Sequence, residues 1–68
     1  MRYAILIEGE PGKYSSYVSN LPGCVGVGDT IEQLINEMQA AIRFHIEGLE
    51  EDGLPVPEPT TLVDYVET

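Results

Sequence analysis

From Arg2 to Glu8, apolar residues occupy both alternating positions: Tyr3, Ile5 and Ile7 on one side, Ala4 and Leu6 on the other. Side chains two apart share a face of a strand, so this segment predicts a strand covered on both faces, in the middle of a sheet. Glu10-Pro11-Gly12-Lys13 signals a turn, and Lys13 to Asn20 predicts a second strand running back. A tight turn sets Ile5 opposite Val18 and Leu6 opposite Tyr17. Ser15, Ser16 and Ser19 dilute the second strand and point to a more exposed place for it. Leu21-Pro22-Gly23 is a second turn, followed by a short strand over Cys24 to Val27. At Ile31 the period changes. Ile31, Leu34, Ile35, Met38, Ala41, Ile42, His45, Ile46 and Leu49 recur at steps of mostly three and four, predicting an amphipathic helix as far as Glu51. Either Asp29 or Thr30 can cap its start, and Gly53 is the stop signal. Pro55, Pro57 and Pro59 make a stiff extended connector, favoured over a proline-motif docking site, and Thr61 to Glu67 predicts a last strand.

The expected fold class is therefore α+β, in the order β-β-β-α-β, with an antiparallel sheet and one amphipathic helix on one face. A single helix covers a single face. Apolar strand residues on the other side, with Val63 and Tyr65, form a surplus that a second copy would cover, so a dimer or tetramer is expected with Val63 and Tyr65 at its interface. At 68 residues the chain is one small domain, of a size that is marginal alone. A single cysteine permits no internal disulfide.

Twelve acidic residues against three basic ones leave a net charge of −9. Such a surface repels nucleic-acid phosphates and anionic membranes and favours basic partners, so no direct nucleic-acid or membrane binding is expected. The amino terminus has no signal-peptide pattern, and the expected location is the cytoplasm.

Little in the chain points to catalysis. There is no phosphate-binding glycine loop and no nucleophile elbow, and Glu8, Asp29 and Asp64 are scattered along the chain. No cofactor or metal site is expected. His45 falls on the apolar stripe and reads as a partly buried structural histidine; Cys24 reads as a small buried hydrophobe, since no base stands near it in sequence. Glu50, Glu51 and Asp52 oppose the helix dipole, at a cost that a basic partner would reverse, and they are the candidate partner-binding edge.

Taken together, Tyr14, Tyr17-Val18, Leu21-Pro22-Gly23-Cys24, Gly28-Asp29-Thr30-Ile31-Glu32, the helix pattern through Ala41, Ile42, His45 and Leu49, and Asp52-Gly53 before Pro57-Glu58-Pro59 resemble the amino-terminal domain of HicB-like antitoxins. The resemblance spans almost the whole chain. It implies a pared-down ribonuclease-H-like fold and a non-catalytic protein that masks a small basic RNA-cleaving toxin of the HicA type. Full-length relatives add a carboxyl-terminal DNA-binding module; residues 1–68 are expected to be a single HicB-like domain without one. Ser19-Asn20 stands where the family often has Pro-Asp, a change of turn detail. A small oligomeric adaptor or regulator of the same fold, without a toxin partner, is the alternative.

Overall fold

The computed structural model describes residues 1–68. Three strands precede one helix: β1 (Ile5–Glu10), β2 (Lys13–Val18), β3 (Val25–Gly28) and α1 (Ile31–Glu51). They form an antiparallel sheet in the order β1-β2-β3. The hairpin register sets Ile5 opposite Val18 and Leu6 opposite Tyr17, as the tight turn requires.

Two expectations about strand position are reversed. β1, apolar on both faces, lies at an edge, and the serine-bearing β2 lies in the middle. Ser16 is buried because its Cα partner is Gly26, and a Cβ on Gly26 would stand 2.7 Å from Met38 Sδ. A larger side chain at position 16 would meet the helix at this crowded point.

The helix lies across β2 and β3. Leu34 and Met38 are its buried residues, and they join Val18, Leu21 and Cys24 in the core, flanked by Ile5, Ile7, Tyr14, Ala41, Ile42, Ile46 and Leu49. Ile31 and Ile35 lie at the exposed margin of the stripe. Thr30 is the cap: its Oγ1 accepts from the Gln33 amide at 3.1 Å, and Gln33 Oε1 accepts from the Asp29 amide at 3.1 Å. At the other end Gly53, at φ +69°, donates to the Glu50 carbonyl, and Leu54 donates to that of Leu49. This pair of bonds is a Schellman stop.

The fourth strand expected over Thr61 to Glu67 does not join the sheet; the segment pairs with no strand. Side chains take two of its backbone amides. Asn20 Oδ1 accepts from the Thr61 amide at 3.3 Å, and Asp64 Oδ1 accepts from the Tyr65 amide at 2.7 Å. Local bonds of this kind compete with a ladder.

Candidate partner-binding site

The Leu21 to Cys24 turn closes with the Cys24 amide donating to the Leu21 carbonyl at 3.0 Å, with Gly23 at φ +85°. A positive φ at the third residue of the turn, directly after Pro22, is the type II arrangement. It drives Leu21 and Cys24 into the core. Cys24 is 4 % exposed, and burial pushes its thiol above the ordinary value of 9.0, which leaves it protonated and poorly nucleophilic. The structure therefore places Cys24 among the packing residues. His45 is half-buried beside Phe44, Gly48, Leu49 and Asp52. No three His, Cys, Asp or Glu side chains converge in a geometry that could hold a metal ion, and no helix is long and apolar enough to cross a membrane.

Glu50, Glu51 and Asp52 are all exposed at the end of α1, whose last turn contains no basic residue. The Schellman bonds already engage the Glu50 and Leu49 carbonyls, and the Asp52 amide donates to Gly48. These carboxylates are thus free of any capping task, and they stand where the carbonyl end of the helix dipole adds to their negative potential.

A second surface was not legible in sequence. The sheet face turned from the helix carries Leu6, Tyr17 and Val25 in one cross-strand row and Glu8, Ser15 and Val27 in the next. Val25 and Val27 are 66 % and 74 % exposed. A groove of about 530 Å³ runs along this region, bordered by Glu8, Ser15, Tyr17, Val25, Val27 and Glu37. The signal was the alternation of valine with glycine in β3. It shows that one face of that strand is closed by the helix while the other keeps β-branched side chains in water.

Val63 and Tyr65, the expected self-association residues, lie beside the outer edge of β1 in a groove with Ile5, Leu6, Ile7 and Glu8. They are not adjacent in sequence or in groove to the acidic helix end. The molecule thus separates an acidic end from an apolar, strand-like tail.

Residues 3–68 match the family described as HicB-like antitoxin of bacterial toxin-antitoxin systems. This chain belongs to the HicB-like antitoxin family. Among its relatives, an uncharacterised 14.9 kDa protein from the rep-hol intergenic region of Haemophilus phage HP1 is 36 % identical over 66 residues, covering 97 % of this chain and 50 % of the phage protein. The chain therefore spans about half the length of that relative. A UPF0150 protein of Synechocystis is 37 % identical over 62 residues, covering 90 % of this chain and 78 % of its own. Among solved structures, a chain of a HicA3 and HicB3 toxin-antitoxin complex superposes with a TM-score of 0.73 at 29 % identity, covering 87 % of this chain and 69 % of that one. Three antiparallel strands followed by one helix are thus the HicB-like arrangement shared with that neighbour.

Proposed function

We propose that this HicB-like chain is the antitoxin of a type II pair, acting in the cytoplasm by binding and masking a small basic HicA-type toxin that cleaves mRNA. The observation that carries the reading is the likeness over 87 % of the chain to a component of a toxin-antitoxin complex. Charge supports it: a net charge of −9 attracts a basic protein and accelerates its encounter. The antitoxin acts by occupying a surface, not by chemistry, and its one thiol is buried and held protonated.

Glu50, Glu51 and Asp52 form the charged part of the docking edge in this proposal. They are exposed, unpaired with any helix-capping duty and placed where negative potential is reinforced. The second reading, an oligomeric adaptor of the same fold without a toxin, is favoured by the apolar surface left open by Tyr17 of β2 and Val25 and Val27 of β3.

Co-expression tests the proposal. The proposal predicts that a short, basic, histidine-containing protein is encoded beside this chain and arrests growth when expressed alone, that adding this chain restores growth, and that the two purify together. Growth arrest unchanged by this chain, with no complex recovered, supports the adaptor instead.

A further inference from the structure

We propose that the last turns of α1 carry a notch for one arginine side chain of a basic partner, its guanidinium stacked on Phe44 and paired with Asp52. The inference rests on the toxin reading for the identity of that partner, and adds to it the kind of side chain that is gripped.

Phe44 and Gly48 are two helix residues for which packing gives no reason. Phe44 is 79 % exposed, whereas Ile42 and Ile46 on either side of it pack against the core. A single exposed apolar side chain is ordinary. What singles this one out is the glycine one turn further on. Glycine inside a helix weakens it relative to alanine, and a close approach or a positive φ is the usual reason to keep one. Gly48 has neither: nothing lies within 4 Å of where its Cβ would stand, and its φ is not positive.

The consequence of that glycine is local. Side chains on a helix lean toward its N-terminus, so a side chain at position 48 would lie back over residue 44, one turn earlier. Gly48 leaves that side of the phenyl ring bare. The result is a notch of about 270 Å³ lined by Phe44, His45, Gly48, Leu49 and Asp52. It is smaller than the roughly 300 to 1,000 Å³ of pockets that enclose a small-molecule ligand, and it suits a single side chain.

Charge selects the occupant. Asp52 lines the notch, and Glu47 and Glu51, both exposed, share the side of the helix that carries Phe44. No basic residue of the chain's own competes for them. The last turn of α1 contains none, and the one arginine of the helix, Arg43, borders a different groove beside Tyr3 and Ile46. An aromatic face attracts a cation, and an exposed carboxylate beside it accepts hydrogen bonds. A guanidinium meets both demands at once, its plane on the ring and its N–H edge on the carboxylate. An ammonium is a strongly hydrated point charge with no plane to stack, so the notch prefers arginine to lysine.

Phe44 is the chain's only phenylalanine, so ring-labelled phenylalanine gives NMR signals from this site alone. Hexa-arginine peptide should shift these signals saturably, and hexa-lysine at the same concentration should shift them clearly less. Gly48→Ala should raise the melting temperature and yet abolish the shift, a combination that loss of fold cannot produce. Asp52→Asn should weaken the shift, whereas Glu32→Gln, which removes an equal charge from the first turn of α1, should leave it unchanged. With a basic toxin encoded beside this chain, Phe44→Ala and Gly48→Ala should each raise Kd about ten-fold. Ring signals that ignore hexa-arginine, respond equally to hexa-lysine or move equally in Gly48→Ala overturn the proposal. A toxin complex indifferent to both substitutions also overturns it, and leaves the toxin reading intact. An arginine-selective shift in a chain that binds no co-encoded toxin retires the toxin reading and keeps the notch.

Discussion

Gly28 of β3 and Leu34 of α1 approach so closely that a Cβ on the glycine would stand 3.0 Å from the Leu34 backbone nitrogen and 3.2 Å from its Cα. The nearest atoms are backbone, so the helix must move as a unit to admit a side chain. Gly28→Val should destabilise the fold by about 1 to 3 kcal/mol, the usual cost of overpacking. Gly26→Ala meets the flexible thioether of Met38 instead, which can rotate away, and should cost less. Urea midpoints at constant slope give the order, and equal losses would contradict this account of helix docking.

The helix start separates two neighbouring residues that both looked able to cap it. Thr30 contributes its side chain and Asp29 only its amide. Thr30→Ala should therefore lower stability by about 1 kcal/mol, while Asp29→Ala should cost clearly less. Thermal unfolding of the two variants checks this, and a larger loss at Asp29 would reassign the cap.

Cys24 gives the protein a pH dependence of known sign. Burial raises its pKa above the unfolded value, so the unfolded chain gives up the thiol proton first as pH rises. Stability contributed by the neutral thiol is complete below about pH 9 and is lost as pH climbs through the folded value. Cys24→Ala should flatten the decline in stability above that pH, measured by urea titration against the unsubstituted chain; parallel declines would show that other groups govern it.

Salt should act with opposite signs on the two proposed associations. Bringing two chains of net charge −9 together is repulsive, so dimerisation should strengthen as sodium chloride is raised from low concentration. Docking of a basic toxin should weaken over the same range. Reversing Glu50, Glu51 and Asp52 to lysine should slow toxin association at low salt with little effect on dissociation. Stopped-flow association rates that do not change would remove this edge from the interface.

Much of the fold was legible because it rests on local signals. The turn at Leu21-Pro22-Gly23, the change of period at Ile31, the cap pattern at Thr30 and Gln33 and the stop at Gly53 each act within a few residues, and each holds in the structure. Strand order depends on non-local pairing and was read in reverse for β1 and β2. Ser16 suggested exposure, but only the approach of Met38 over Gly26 explains why a small residue is buried there. The segment from Thr61 to Glu67 has the alternation of a strand but no ladder, since alternation records where side chains point and not which edge receives them. Glu50, Glu51 and Asp52 could be placed on an exposed helix end from sequence alone, whereas the open row of Leu6, Tyr17 and Val25 required the register of three strands.

Inhibition of RNA cleavage addresses the central claim most directly. A HicA-type toxin found encoded beside this chain would be held at fixed concentration with a labelled mRNA fragment, and this chain titrated in. Masking predicts that cleavage falls linearly to a sharp end point at a fixed molar ratio, and that the three-lysine variant of residues 50–52 needs a higher concentration at low salt. Cleavage that continues undiminished at a large excess of this chain would contradict the account.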